Sequence, residues 1–384
     1  MKVCISRNAE ARTNAALARV SQALYDEVDR VFILSRNRYP EDKGGIIKKK
    51  YDIDGEAIDN YEINIRSKPG KGIINIFQLI HFQIVTLIWF LKNSEKYDVI
   101  HAFDLDVGLP ALLIAKLKNK KYVYHIADFY VDSRGTMPNQ LKAFIRKIEF
   151  MVINNAASTI VCTEDRIKQI AGSKPKKIVV VHNTPISSQE FWKNRKEKSM
   201  GMLIKDKITF TYVGGLSKGR FIQSAMNVIK DYPQLVLNLA GMGTSVEHVK
   251  NMSDQYTNIN YHGMIDYGEA INLYAETDFM FALYDPVIPN YKFSAPNKVY
   301  EAMLLGKPII IAKNTGIDRI VTENKMGYVI EYSEEAFRVL IDKILTRSMD
   351  WEERGENAKR AYPKYSWPIM KNRIIELYRN IDLK

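Results

Sequence analysis

The stretch Tyr291-Lys-Phe-Ser-Ala-Pro-Asn-Lys-Val-Tyr-Glu-Ala-Met-Leu-Leu-Gly-Lys-Pro-Ile-Ile-Ile311 decides how the chain folds. It reads as loop, helix, stop and strand. Ser294 is placed to cap a helix. Pro296 suits a first turn, where its missing N–H would have been unpaired anyway. Val299, Met303 and the Leu304–Leu305 pair recur at helical spacing and make an apolar face. Gly306 fits the left-handed position just past a helix end, and Pro308 blocks continuation. Ile309 to Ile311 then read as a short buried strand. A helix start exposes unpaired N–H groups and the positive end of a dipole, so it can hold a phosphate. Lys298 adds a positive charge in the first turn, where the dipole disfavours one. That is a poor choice for stability and a sensible one for an anion site. Glu301, one turn deeper, is placed to accept hydrogen bonds from a ribose.

The segment Ser294 to Pro308 resembles the donor-binding signature of the retaining glycosyltransferases of family four. The resemblance implies an α/β protein of the GT-B fold, with two Rossmann-like doubly wound domains facing a central cleft. It also implies a nucleoside diphosphate sugar (UDP or GDP) as co-substrate, no cofactor, no metal in the chemistry and retention at the anomeric carbon. Glu301 matches the glutamate that binds the nucleotide ribose. Many members carry a second glutamate eight residues earlier. Phe293 stands there in this chain, so the usual pair is broken. The Pro-Asn-Lys form is similar to a branch that builds bacterial surface polysaccharides such as O-antigen and capsule.

Working outward, Ile208 to Val213 reads as a strand that runs into Gly214-Gly-Leu-Ser-Lys-Gly-Arg220 and then a helix from Phe221. Strand, glycine loop and basic residues before a helix make a phosphate cradle. Gly214, Gly215, Lys218 and Arg220 are therefore donor-binding candidates, against the bland reading of a solvent-facing basic turn. By the resemblance, this loop neutralises the donor pyrophosphate. Val236 to Ala240 leads to Gly241, Asn258 to His262 leads to Gly263-Met264, and Phe279 to Leu283 leads to Tyr284. Loops leaving parallel strands gather on one sheet edge. The resemblance puts Gly263 and Met264 against the base. It puts the N–H groups of Ser294, Ala295 and Asn297, on either side of Pro296, with Lys298 and Arg220, on the leaving diphosphate, so Lys298 and Arg220 are also catalytic candidates.

The first half opens as strand Lys2–Ser6, helix Asn14–Leu24 and strand Arg30–Leu34, the start of a doubly wound sheet. Its first loop holds Arg12, which is either a phosphate contact or a surface arginine. Strands from Tyr97 to Ala102 and Lys121 to Ile126 end in Asp104 and in His125-Ile-Ala-Asp128. Polar groups leaving strand ends make Asp104, His125 and Asp128 acceptor-side candidates, with His125 and Asp128 also catalytic candidates. His101 is read as structural. Ile73 to Leu91 is the most apolar run. Asn75, Gln78, Gln83 and Thr86 fall on one side of it, which argues for an amphipathic helix rather than a membrane crossing. Core packing is the favoured reading. Membrane docking stays open because Lys68, Lys71 and Lys92 flank the run.

The length suits two domains: residues 1–187, residues 188–366 across a polar stretch at 187–205, and a terminal helix 367–384 that crosses back. Cys4 and Cys162 are far apart and in no metal-ligand spacing, which argues against disulfide and zinc scaffolds. With no signal peptide in view, the expected location is cytoplasmic, peripheral on the inner membrane face if the apolar helix docks. The net charge of +12 fits a phosphorylated substrate, an anionic membrane or a solvated surface. No nucleic-acid module is evident, and no Gly-x-Gly-x-x-Gly follows the first strand, which counts against a dinucleotide-dependent oxidoreductase. The expected partners are a nucleotide-sugar donor, a glycan or lipid-linked glycan acceptor and an anionic membrane surface. A nucleotide-sugar epimerase of the same fold and a non-catalytic basic binding protein remain the alternatives.

Overall fold

The computed structural model describes residues 1–12, 14–40, 44–53, 55–66, 72–133, 137–186, 207–346 and 351–383. Thr13, Lys68, Lys71 and the polar stretch at 187–205 lie outside the described residues. The chain divides into two units, Met1–His182 with Pro368–Lys384, and Asn183–Trp367.

In the first unit the order is β1 (Lys2–Ser6), α1 (Ala15–Leu24), β2 (Arg30–Asn37), β3 (Ile46–Ile53), β4 (Glu56–Asn64), α2 (Gly72–Lys92), β5 (Val99–Phe103), α3 (Asp104–Lys118), β6 (Lys121–Ile126), α4 (Asn139–Asn155), β7 (Ser158–Val161), α5 (Arg166–Gln169) and β8 (Ile178–Val180). The sheet runs β3-β4-β2-β1-β5-β6-β7-β8. It is parallel except for the β3–β4 pair, where Lys49 faces Asn60. The second unit holds β9 (Ile208–Val213), α6 (Ile222–Ile229), β10 (Leu235–Ala240), α7 (Val246–Gln255), β11 (Ile259–Tyr261), α8 (Tyr267–Glu276), β12 (Phe279–Ala282), α9 (Pro289–Lys292), α10 (Asn297–Leu305), β13 (Ile309–Ala312), α11 (Ile317–Glu323), β14 (Gly327–Ile330), α12 (Glu334–Leu345) and α13 (Trp351–Tyr365). Its sheet runs β11-β10-β9-β12-β13-β14. Helix α14 (Trp367–Arg379) then brings Met370, Ile374, Leu377 and Tyr378 into the core of the first unit.

Both sheets reverse direction beside their first strand. β1 lies between β2 and β5, and β9 lies between β10 and β12. At such a switch point the flanking connections go to opposite faces and leave a crevice beyond the strand carboxyl ends. The loops that start at Arg7 and Asp104 therefore meet in one unit, and those that start at Gly214 and Leu283 meet in the other.

The fold changes the reading of two stretches. The basic run Lys48-Lys49-Lys50 is half of a hairpin on the sheet edge. Lys48 and Lys50 bind Asp59 at 3.1 and 2.8 Å, and Lys49 binds Glu62 at 2.6 Å. This charge is matched within the sheet, and charged residues on an edge strand discourage pairing with another chain. The second stretch is α2. Its polar stripe does not face solvent: Thr86 is fully buried, Gln78 and Gln83 are half-buried, and Phe82, Trp89 and Phe90 fill the core beside them.

Glu149 is fully buried on the inner side of α4. It accepts the Tyr124 hydroxyl at 2.8 Å and the Tyr130 N–H at 3.2 Å. Burial pushes its carboxyl up to about 8, against the lowering effect of those two donors. A raised acid pKa gives stability that is present below the unfolded value and lost as pH rises through the folded one. Glu149→Gln keeps an acceptor but removes the ionisation. Its melting temperature relative to wild type should therefore improve between pH 5 and pH 8. A difference that stays constant over that range in calorimetry would show that Glu149 does not titrate there.

Candidate active site

The candidate site of the second unit is built on backbone. Gly241 has φ of 126°, and a Cβ on it would fall inside the Gly214 carbonyl. Only glycine allows the loops after β9 and β10 to meet this closely. Hydrogen bonds then lace three strand ends together: Gly214 N–H to Ala240 O at 2.9 Å, Gly241 N–H to Gly263 O at 2.7 Å, and Tyr261 hydroxyl to Gly241 O at 2.9 Å.

Helix α10 addresses this floor with one face. Lys298 and Glu301 are three residues apart and so share a side of the helix. Lys298 is only 8% exposed. Its ammonium sits 4.3 Å from the centre of the Tyr212 ring and 2.9 Å from where a Cβ on Gly214 would lie. A side chain at position 214 would displace it. Glu301 is 5% exposed and acts electrostatically on Tyr274. The Tyr274 hydroxyl in turn receives the Val213 N–H at 2.9 Å. Both charges thus meet the carboxyl end of β9.

Arg220 reaches the same region through aromatic rings. Its guanidinium lies 3.9 Å from the Tyr284 ring centre and 4.5 Å from that of Tyr291, and it donates to the Tyr291 hydroxyl at 3.2 Å. Tyr212 interacts with Tyr284 and with Arg220, so the frame connects the arginine to the ring that carries Lys298. Cations held on ring faces keep their charge with part of their hydration replaced. Gly215, Lys218 and Met264 are exposed.

The loop before α10 differs from the sequence expectation. The helix begins at Asn297 with Pro296 in the capping position and no side-chain cap. Ser294 does not cap it. Its hydroxyl donates to the Tyr291 carbonyl at 3.0 Å, because Ser294 closes the turn after the short helix α9. Ala295 is fixed from the other side by the Asn183 amide, which donates to its carbonyl at 2.9 Å. Phe293 is half-buried at the end of α9, with the Lys292 ammonium 6.0 Å from its ring centre.

In the first unit, Asp104 sits at the switch point with φ of 55°, a strained value for a non-glycine residue. The strain is matched by contacts. Its carboxylate accepts the N–H groups of Ala127 and Asp128 at 2.8 and 2.9 Å, and Arg7 lies 3.6 Å away. Burial raises it to about 6, with Arg7 opposing. Arg7 also lies over the Phe103 ring at 5.0 Å. Asp128 and Arg12 are exposed. His125 is buried in a chain of rings. Its Nδ1 lies 3.0 Å from His101 Nε2, and His101 Nδ1 lies 2.8 Å from the Tyr378 hydroxyl. Burial pushes His101 down to about 3 and His125 well below its usual range, so both rings are neutral at pH 7. If Tyr378 donates to His101, then His101 donates to His125, and His125 keeps an Nε2–H to offer.

Sequence reasoning missed Tyr212, Tyr274, Tyr284 and Tyr291, which orient the charged groups, and Arg7. Arg7 directly follows β1 and Tyr284 lies two residues past β12, the one signal that was available for them.

Residues 194–361 match the family model described as glycosyl transferases group 1. The chain is 25% identical over 328 residues to an uncharacterized 41.2 kDa protein in the cps region of Klebsiella pneumoniae, covering 82% of this chain and 86% of that one. It is 23% identical to the UDP-Gal:alpha-D-GlcNAc-diphosphoundecaprenol alpha-1,3-galactosyltransferase of Escherichia coli, covering 72% of each. Among solved structures it resembles Anabaena HepE in complex with UDP and glucose, with a TM-score of 0.68, 15% identity and coverage of 99% of this chain and 100% of that one. With this match, these relatives and two parallel-sheet units that each turn their loops to a switch point, residues 194–361 form a glycosyl transferases group 1 domain within a chain of the GT-B fold.

Proposed function

We propose that the chain moves a sugar, with retention at its anomeric carbon, from a nucleoside diphosphate sugar to a glycan or lipid-linked glycan acceptor in the making of a cell-surface polysaccharide. The observation that carries the donor half is the pair Lys298 and Glu301, both nearly buried on one face of α10, with Lys298 against Gly214 and Glu301 acting on Tyr274, which holds the Val213 N–H at the end of β9. UDP is favoured over GDP, because HepE was solved with UDP and the Escherichia coli relative is named for UDP-Gal. That relative's diphosphoundecaprenol acceptor and the cps region of the Klebsiella relative support the acceptor class and the pathway.

In this reading Glu301 accepts the ribose hydroxyls. The N–H groups at the start of α10, with Lys298 and Arg220, take the charge that grows on the diphosphate as the glycosidic bond breaks. Both cations are held before the reaction starts, so they need no reorganisation as the charge appears. Gly263 and Met264 flank the base. No resident cofactor or metal is part of the reading. Asp104 and Asp128, with the His125 Nε2–H, provide the acceptor-side polar groups, and Arg12 serves the same side.

A ligand held only by the folded state raises the melting temperature, by about 2.7 kcal/mol of stability at a hundred times its dissociation constant. UDP should stabilise the wild type, while GDP, CMP and NAD should do so less or not at all. Glu301→Ala should abolish the UDP shift, and an undiminished shift would remove Glu301 from the site. Lys298→Met should lower kcat by about 10²–10³-fold, the usual scale for loss of one charge-stabilising donor. A rise in KM alone, with kcat intact, would refute its role on the leaving group. Proton NMR of the first product formed from an α-linked donor should show an α linkage, and a β product would overturn retention.

A further inference from the structure

The outer face of α2 is apolar. Ile76, Phe77, Ile80, Ile84 and Ile88 are all exposed, Phe77 at 70%. Their spacing puts them on one side of the helix. The opposite side is locked into the core by Phe82, Thr86 and Phe90, each fully buried. The stripe does not stand alone. α2 packs on α3 and α3 on α4, and these helices turn Leu117 and Phe144 outward at 65% and 61% exposure. Half of the large exposed hydrophobics among the described residues lie on these three helices. An apolar surface of this extent marks a docking site.

The exposed charges on the same helices are of one sign. Lys92, Lys116, Lys118 and Lys147 are exposed. The carboxylates on these helices, Asp104, Asp106 and Glu149, are none of them exposed. A second copy of this face would bring like charges together, whereas an anionic lipid surface would match both the lysines and the isoleucines. No helix among the described residues is long and apolar enough to cross a membrane, and the inner side of α2 is already committed to the core.

We propose that α2, α3 and α4 form a face that lies flat on an anionic phospholipid bilayer, with the α2 isoleucines and Phe77 in the headgroup–acyl boundary and the lysines on acidic headgroups. This deepens the reading of a lipid-linked acceptor, but its test needs no sugar substrate, so the two can fail separately. The purified full chain is floated with vesicles of phosphatidylcholine alone and of equimolar phosphatidylcholine and phosphatidylglycerol, at low and high salt. The wild type should rise with the mixed vesicles, and salt should weaken this. The triple variant Phe77→Ser, Ile80→Ser, Ile84→Ser should lose roughly tenfold or more in partition, because its apolar area is removed. Its melting temperature and far-UV circular dichroism should match the wild type. If it misfolds, the variant Leu117→Ser, Phe144→Ser tests the neighbouring helices in the same way. The proposal falls if the wild type floats with neither vesicle or if folded variants float as well as the wild type. It falls too if light scattering shows the face buried between two copies of the chain that the substitutions separate.

Discussion

The second unit depends on a contact with no room for a side chain, the approach of Gly241 to the Gly214 carbonyl. It draws the ends of β9 and β10 together and leaves a shallow floor of main chain. The two charges of α10 are placed from that floor. Lys298 presses against Gly214, and Glu301 reaches the same strand end through Tyr274. Backbone that cannot be widened cannot drift, so the charged groups inherit a fixed distance to whatever lies on it.

Placing two cations there runs against local stability. Lys298 stands in the first turn of a helix, where the dipole repels it, and it is nearly buried. Arg220 is withdrawn from water beneath two tyrosines. The aromatic frame of Tyr212, Tyr284 and Tyr291 offsets this by giving each cation a ring face in place of lost hydration. The frame also explains how positive charge reaches the end of β9, since Arg220 is returned towards it by ring contacts rather than by proximity in sequence.

Much of this was legible in the residues. Parallel strands buried on both faces read as continuous apolar runs, so β12 and β13 stood out, and the glycines and Lys298 carry their meaning in the backbone conformation they permit. What escaped depends on partners distant in sequence. A tyrosine within β9 looks like any core tyrosine until Lys298 is placed over it. The β3–β4 hairpin was hidden because its lysines find Asp59 only after the strands pair. The period of α2 revealed which residues share a side, but not which side turns inward, and a threonine went in while four isoleucines stayed out. His101 and Tyr378 stand 277 residues apart, and no local pattern announces their bond.

That last separation bears on how the molecule is made. Tyr378, Ile374 and Leu377 are core residues of the first unit, yet the whole of the second unit precedes them in the chain. During synthesis the first sheet must wait, with the cavity for α14 unfilled, while residues 183–367 leave the ribosome. At about 5–20 residues per second that is an interval of roughly ten to forty seconds. Throughout it, His101 lacks its hydroxyl partner and apolar surface stays open to solvent. The second unit carries no such debt and can close as soon as its own sheet is complete. The second unit of this enzyme is therefore built to mature before the unit that begins the chain.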